Sequence, residues 1–468
     1  MTKLGFIKEF LQHQSHERFA KLFISNCETN IKVLSEHDVY IYNSTFKYYQ
    51  KVKSDGKLMI LVSDELHKVF EIWKFMLDSK YESISCSTEI DKDDKPKMLQ
   101  EIEVLIGLTE RAVLNIETTH YIKQIIVTII NRLTLTHEEQ TNLNRLENYL
   151  NFRNCKLDLK TLEYSDRDED DFVTEFLDYD FKPKANKKIK EEIKTILKQI
   201  CNNTDEDYNF IMSYLGYCIT SETKEQKYLN VVGPSASNGK STLIKLMEAV
   251  FNIYTFKSDK RLFSESFGKS HKYFSGMKNK RIVYIEELDK KKIDGDLLKD
   301  TVDGNKMSNE VLFGTTEDIQ IKFKLLFFSN NLMNFDSDQG IKRRTITVYF
   351  NSKFVDEEDY EREKESYKGG NVYKKNKTLL EKFNDDAFKN AFVHLIIAQS
   401  KSYFEKGITI PETYKKTTED LCDENDKMKN FMDNHFDITK DDDHRITKDE
   451  FKTLFNHYTG CNHAWTSI

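Results

Sequence analysis

The stretch Tyr228-Leu-Asn-Val-Val-Gly-Pro-Ser-Ala-Ser-Asn-Gly-Lys-Ser-Thr-Leu-Ile-Lys-Leu-Met-Glu-Ala-Val-Phe251 contains two apolar patterns separated by a run of small residues. The first pattern, Leu229 to Val232, is short and predicts a buried strand. The second has apolar residues at helical spacing from Leu243 to Val250, which predicts a helix. The order of strand, small-residue loop and helix is typical of a nucleotide triphosphatase.

The loop between these two elements has the residue types that phosphate binding requires. Small side chains let backbone N–H groups surround phosphate oxygens, and the helix N-terminus adds a partial positive charge. Lys240 can reach the β- and γ-phosphates, and the Ser241 hydroxyl can bind Mg²⁺. We therefore predict a site for ATP and Mg²⁺, with the nucleotide held by Gly233, Ser237, Asn238, Gly239, Lys240, Ser241 and Thr242.

The spacing of this loop departs from the usual phosphate-loop pattern. That pattern has four residues between its first glycine and Gly-Lys, which would put glycine at the position of Pro234. The nearest glycine is Gly233, so we interpret the loop as one residue longer. The alternative is a glycine-containing turn before an ordinary helix, but the strand and the helix on either side favour phosphate binding.

Composition limits the class of protein. A chain of 468 residues predicts two to four domains. The formal net charge of −7 argues against a uniformly basic nucleic-acid binder, although a basic channel inside an oligomer would not show in that total. We expect a soluble, cytoplasmic protein with no membrane partner, because neither an apolar run of ~20 residues nor a secretory signal pattern is present.

A second apolar strand, Ile282 to Ile285, ends in the paired carboxylates Glu286 and Glu287. Behind a phosphate loop, Glu286 could hold Mg²⁺ and Glu287 could orient and deprotonate the attacking water. The alternative is an ordinary strand that enters an acidic loop. The position downstream of the phosphate loop favours the catalytic interpretation.

A third apolar strand ends in Asn330 and Asn331, and a basic pair, Arg343 and Arg344, precedes a β-rich run. An amide after the strand would lie near a γ-phosphate, although Asn-Asn also starts ordinary turns. An arginine at this point could act as a finger in the ATP site of a neighbouring subunit. The alternative is a pair of surface basic residues that opens a strand.

Taken together, these elements resemble the helicase half of the poxvirus-type primase-helicases, which are superfamily 3 helicases of the AAA+ group. The motif from Phe152 through Asn154, Asp158 and Leu159 to Thr161 and the motif Leu215-Gly216-Tyr217 resemble the pre-helicase domain of that family. Asn238 to Thr242 resembles its phosphate loop, and Glu286 and Glu287 resemble its Walker B acids. Asn331 falls where the family has its sensor asparagine, and Arg343 and Arg344 fall where it has its finger arginines. Departures from the family pattern are Cys155, Glu310 and Asn334.

The resemblance implies an α/β fold with an AAA+ parallel-sheet core, a helical N-terminal domain and a small helical C-terminal domain. The predicted parts are 1–97, an α+β region; 98–215, a helical pre-helicase domain; 216–355, the ATPase core; 356–410, an exposed insertion and helical lid; and 411–468, a helical C-terminal segment that could form a winged helix. Basic candidates for DNA contact near the expected hairpin are Lys306, Lys322 and Lys324.

The activity that the resemblance implies is ATP-driven translocation on single-stranded or forked DNA during the replication of a viral or mobile-element genome. The expected assembly is a ring, a hexamer, with ATP between subunits. The residues before 95 leave no room for a primase domain, so a separate primase is a candidate partner. One alternative is a non-catalytic ATP-binding scaffold on DNA, motivated by the shifted Gly233 of the lengthened loop and by the acidic Glu310. Another is a different ATPase, such as a DNA-packaging motor or a small-molecule kinase.

Overall fold

The computed structural model describes residues 3–140, 143–144, 147–233, 235–263, 274–287, 293–309, 317–330, 339–425, 431–432, 434–437, 439 and 445–459. Contacts divide the chain into two compact units. Unit 1 contains Met1–Leu146 with Asp166–Glu175, and unit 2 contains Glu147–Ser165 with Phe176–Ile468.

The helices of both units are α1 Lys3–Gln12, α2 His16–Asn26, α3 Asp55–Cys86, α4 Lys95–Glu117, α5 Thr119–Leu133, α6 His137–Gln140, α7 Lys187–Ile200, α8 Asp205–Cys218, α9 Lys240–Phe251, α10 Gly295–Val302, α11 Gln339–Arg344, α12 Tyr360–Ser366, α13 Leu379–Lys382, α14 Asp386–Lys406, α15 Glu412–Asn425 and α16 Lys448–Thr459. The strands are β1 Ile31–Ser35, β2 Asp38–Asn43, β3 Tyr48–Lys51, β4 Tyr149–Asn151, β5 Lys156–Asp158, β6 Tyr164–Ser165, β7 Tyr228–Val232, β8 Thr255–Lys257, β9 Ile282–Glu286, β10 Lys306–Asn309, β11 Glu317–Gln320, β12 Lys324–Ser329, β13 Thr345–Tyr349, β14 Lys353–Val355 and β15 Val372–Lys374. No described helix is long and apolar enough to cross a membrane.

Unit 1 packs its helices around an aromatic core and carries the antiparallel sheet β1-β2-β3. Phe10, Phe19, Phe70 and Trp73 meet there with ring centroids 5.2–6.2 Å apart. The aromatic stripe of α3 is thus core packing, because Phe70 and Trp73 are buried. The aromatic runs on either side of Ser44 form β2 and β3, which pair antiparallel.

Unit 2 is built on a five-stranded sheet in the order β13-β7-β12-β9-β8, with every neighbouring pair parallel. The predicted α/β class with a parallel sheet is therefore confirmed. Both faces are covered, since Leu326 and Phe328 of β12 belong to one core cluster, whereas Leu325 and Phe327 belong to another. This explains why the strands are continuous apolar runs rather than alternating ones.

The two motifs ahead of the phosphate loop make packing contacts. The Asn154 amide accepts a hydrogen bond from Phe181 N at 2.9 Å and donates one to Phe181 O at 3.0 Å. The Asp158 carboxylate accepts from Lys160 N at 2.6 Å, which shapes the turn after β5. Gly216 lies where α8 crosses α14, and Ser400 Oγ donates to Gly216 O at 2.7 Å. Asn154 and Asp158 therefore fix the backbone at Phe181 and in the turn after β5, and Gly216 lies in a helix-helix contact.

Candidate nucleotide-binding site

The carboxyl ends of three adjacent parallel strands bring the predicted site residues to one edge of the sheet. Strands β7 and β9 flank β12, so the residues that follow each strand meet there. The connection from β7 runs to β8 at one edge of the sheet, whereas that from β12 runs to β13 at the other. Ligands of open α/β sheets bind in the crevice at such a switch point.

The loop after β7 needs its two glycines for different reasons. A Cβ on Gly233 would meet the ends of the Asn238 and Lys240 side chains, so a larger residue would displace both groups from the loop. Gly239 has φ +89° and is the N-cap of α9, and a Cβ there would lie 2.7 Å from Ile200 Cγ1. A left-handed backbone at this position favours glycine. Pro234 lies outside the described residues.

Lys240 is the first residue of α9 and is 8% exposed. Its ammonium donates to Gly233 O at 3.3 Å and to Asn330 Oδ1 at 2.8 Å. Burial lowers the pKa of Lys240, and the nearby Glu287 carboxylate opposes this shift. The ammonium is therefore a partly desolvated cation between the first glycine of the loop and the end of β12.

Asn330 connects Lys240 to the carboxylate predicted to activate water. Its amide nitrogen donates to Glu287 Oε1 at 2.9 Å, while its amide oxygen accepts from Lys240. Three strand ends are thereby joined in the order lysine, asparagine, glutamate. The predicted sensor, Asn331, lies outside the described residues. The Asn-Asn pair marked the right strand end, but spacing alone could not show which amide makes these bonds.

The two adjacent carboxylates have different surroundings. Glu286, the last residue of β9, forms an ion pair with Lys257 of the neighbouring edge strand β8. Glu287 has φ +51°, a left-handed backbone that is uncommon for glutamate. Its N–H donates to Phe328 O at 2.9 Å, which continues the pairing of β9 with β12. This turn brings the Glu287 carboxylate to Asn330.

The remaining predicted loop residues form the turn and the first turn of α9. Asn238 is buried and its amide donates to Ser235 O at 2.6 Å. Ser237 has φ +58°, and its carbonyl accepts from Phe354 N at 2.8 Å. Ser241 and Thr242 follow Lys240, and Ser241 is exposed. Its hydroxyl is therefore accessible to an ion or a ligand.

The two predicted finger arginines, both at the end of α11, have opposite environments. Arg344 is buried and its guanidinium pairs with both carboxylate oxygens of Asp303; the bond from Nε is 2.7 Å. It also donates to Gly340 O at 2.8 Å. Arg343 is exposed. Of the two, Arg343 is accessible to a second molecule, whereas Arg344 is engaged inside its own chain.

The basic residues predicted near the DNA hairpin also differ. Lys306 begins β10 and is exposed, and Lys322 pairs with Glu147. Lys324 is a buried residue of β12 whose ammonium donates to Thr220 O, so its prediction as a surface DNA contact is wrong. Strands β10 and β11 pair antiparallel as expected for a hairpin, but its tip and Glu310 lie outside the described residues.

Two known families match separate parts of the chain. Residues 89–202 match the family described as D5 N terminal like, and residues 231–344 match a family of unknown function, DUF5906. Each match covers less than half of the chain. Together they support a relationship with the D5-like primase-helicases, the class that the sequence motifs resemble. No curated protein matches the chain significantly.

Solved structures of the NrS-1 C-terminal region show low similarity. One A form apo structure is 14% identical, covers 52% of each chain and has a TM-score of 0.36. A second A form apo structure is 15% identical over 51% of this chain and 52% of that one, with a TM-score of 0.35. A further apo structure is 14% identical over 60% and 64%, with a TM-score of 0.33. This chain covers less than two thirds of each of those chains.

Proposed function

We propose that this chain is an ATP-dependent DNA helicase of the superfamily 3, AAA+ type that acts in the replication of a viral or mobile-element genome. The observation that carries the proposal is the continuous hydrogen-bonded series of Lys240, Asn330 and Glu287 at the ends of three adjacent parallel strands. A lysine on the phosphates and a residue that orients or deprotonates the nucleophile are recurring parts of triphosphatase sites. The D5 N terminal like match supports the replication role.

In the proposed reaction, Lys240 binds the β- and γ-phosphates and Glu287 orients the attacking water. The water oxygen attacks the γ-phosphorus, the bond to the bridging oxygen breaks, and Glu287 accepts the proton. Phosphate oxygens would compete for the Lys240 ammonium and the Asn330 amide. Asn330 would then release Glu287, so triphosphate binding would make the carboxylate available to the water.

The donor set fits a magnesium ion. The Ser241 hydroxyl and the Glu286 carboxylate would hold it together with phosphate oxygens and water, because Mg²⁺ prefers oxygen ligands and keeps part of its water shell. The ion would neutralise charge on the β- and γ-phosphates. The described residues contain no group of three or more His, Cys, Asp or Glu that could hold a metal by itself, so phosphate oxygens and water would supply most of the ligands of this ion.

The proposed assembly is a ring, a hexamer, in which Arg343 enters the ATP site of the neighbouring subunit. The exposure of Arg343 and the internal ion pair of Arg344 support this choice between them. DNA would run through the ring and be held mainly through phosphates, so its binding would weaken with salt. A separate primase is the proposed partner.

The deciding experiment is strand displacement on forked DNA with ATP. The wild-type chain should separate the strands, Lys240→Ala should lose ATP binding, and Glu287→Gln should bind ATP but reduce hydrolysis by about 10²-fold or more. Arg111→Ala, an exposed change on α4, serves as the control. ATP binding and ring assembly without turnover would instead identify a scaffold, and turnover without strand separation would identify another ATPase.

A further inference from the structure

The segment from Lys353 to Lys374, expected from sequence to be mostly an exposed insertion, contacts the phosphate loop at two points. Phe354 N donates to Ser237 O at 2.8 Å, and the hydroxyls of Ser235 and Tyr367 are 3.3 Å apart. Because the Tyr367 hydroxyl donates its proton to Asn351 O at 2.9 Å, Ser235 is the donor in that pair. The segment is therefore bonded to the first half of the loop.

Two aromatic rings of this segment lie next to each other. Strands β14 and β15 are parallel with Phe354 opposite Tyr373, which puts both side chains on one face of the pair. The ring centroids are 5.6 Å apart and the planes are inclined by 32°. Phe354 also packs against the core of unit 2, and both residues remain partly exposed. They form an anchored aromatic surface.

The turn after α7 ties this segment to the end of β13. Asn202 donates from its amide to Tyr349 O at 2.8 Å and accepts from Asn351 N at 2.7 Å. Asn371, just before β15, donates from its amide to Asn202 O at 2.9 Å. Ile200, the last residue of α7 and two positions before Asn202, is the residue that Gly239 faces. The aromatic surface is thus tied to the turn after α7 through Asn371 and to the phosphate loop through the backbone N–H of Phe354.

We propose that Phe354 and Tyr373 form the platform that binds the nucleobase of the triphosphate. The inference rests on the proposed function, since it places the base of the same ligand whose phosphates lie in the loop. A base is separated from the phosphates by one ribose, and the backbone N–H of Phe354 donates to Ser237 O of the loop. Aromatic faces stack on bases with little sequence preference, because every base has a π-face. The ligand class is therefore a nucleoside triphosphate, with ATP and GTP bound similarly and CTP bound more weakly because its ring is smaller.

The test compares ATP with inorganic tripolyphosphate, which carries the phosphates and lacks the base. Displacement of a fluorescent ATP analogue from the full chain gives both affinities. Tyr373→Ala and Phe354→Ala should weaken ATP binding about tenfold and leave tripolyphosphate binding unchanged. Tyr373→Phe should keep wild-type affinity for both, because it preserves the ring.

The matched control is Tyr360→Ala. Tyr360 is another partly exposed aromatic residue of the same segment, and its ring lies against Lys364 and Lys374 rather than the phosphate loop. This variant should bind both ligands as the wild type does. Phe354 packs against the core, so the Tyr373 variant decides the result if Phe354→Ala lowers the thermal midpoint.

The outcomes separate this inference from the function on which it rests. If the wild type binds both ligands and Tyr373→Ala binds ATP as tightly as the wild type, the nucleobase platform is refuted and the proposed phosphate-binding site is unaffected. Equal losses for ATP and tripolyphosphate would also overturn the platform, because they indicate a distorted loop. If the wild type binds neither ligand, the proposed function and the platform fail together.

Discussion

At the scale of single residues, neighbouring side chains of the same type have different roles. Arg343 and Arg344 are adjacent, yet one is exposed and the other is buried against Asp303. Lys322 and Lys324 also differ: Lys322 is partly exposed and pairs with Glu147, whereas Lys324, the first residue of β12, is buried. Local composition predicted a basic character at both places. Only the packing of each side chain separates a candidate functional cation from a structural one.

Lys324 is a buried cation whose protonation depends on folding. Its ammonium donates to Thr220 O, two residues beyond the end of α8, and lies 4.8 Å from the Tyr217 ring centroid. Burial lowers the pKa of Lys324 from 10.5 to about 7, with the positive charge of Arg281 adding to the shift and Cys218 opposing it. The folded chain therefore gives up this proton near neutral pH, whereas the unfolded chain holds it until about pH 10.5.

This pKa predicts that stability rises as pH increases. Between pH 7 and 9 the unfolded chain binds more protons at this site than the folded chain. The free energy of unfolding therefore increases by up to about 1.4 kcal/mol per pH unit. Lys324→Met should remove this contribution, which thermal midpoints at pH 7, 8 and 9 would measure. Lys322→Met is the control, because Lys322 is a partly exposed neighbour whose ion pair with Glu147 lies nearer the surface. Parallel midpoint curves for wild type and Lys324→Met would contradict the assignment.

At the scale of elements, helix packing in unit 2 depends on Gly216 of the Leu215-Gly216-Tyr217 motif. A Cβ at Gly216 would lie 2.5 Å from Gln399 Cβ and 2.8 Å from Ser400 N, so α8 and α14 approach too closely for any side chain. Part of that obstruction is backbone of α14, which cannot rotate away. The motif is thus explained by a helix crossing.

Gly216→Ala should therefore destabilise unit 2 by about 1–3 kcal/mol, because the two helices must move apart. Gly107→Ala is the matched control, since Gly107 is an exposed glycine inside α4 with nothing within 4 Å of its Cβ position. That change should stabilise its helix by about 0.5–1 kcal/mol. Calorimetric unfolding should show a loss of stability for Gly216→Ala and a gain for Gly107→Ala. An unchanged stability of Gly216→Ala would contradict the prediction and would show that α14 moves aside without cost.

At the scale of the whole molecule, the proposed ring requires two subunits for each ATP site. Glu287 would act within its own subunit and Arg343 across the interface. A chain with Arg343→Ala and a chain with Glu287→Gln should each be inactive. Mixed in equal amounts, they should regain ATPase activity, because about a quarter of the interfaces in random rings would combine an intact glutamate with an intact arginine.

The mixing experiment has a built-in control in the neighbouring arginine. Arg344→Ala leaves Asp303 without its buried partner and should lower stability by about 3–5 kcal/mol, so its activity loss should follow unfolding. No recovery in the Arg343 and Glu287 mixture, with ring assembly intact, would refute action across the interface. Recovery with Arg344→Ala in place of Arg343→Ala would reassign the finger to Arg344.

Sequence patterns by themselves determined the elements that surround the proposed site. Short apolar runs predicted the parallel strands β7, β9 and β12, and helical spacing from Leu243 to Val250 predicted a helix, which the structure shows as α9 beginning at Lys240. These features are local, because a strand buried on both faces and a glycine-rich turn each leave a signature within a few residues. The five-part domain division remains a prediction of the same local kind.

Tertiary structure alone decided which side chains meet. Asn330 bonds to both Lys240 and Glu287, Arg344 is turned inward, and Phe354 and Tyr373 come together beside the phosphate loop. These partners are far apart in the chain. Their contacts depend on strand order and on the direction of each side chain at a strand end, and neither is encoded in the spacing of neighbouring residues.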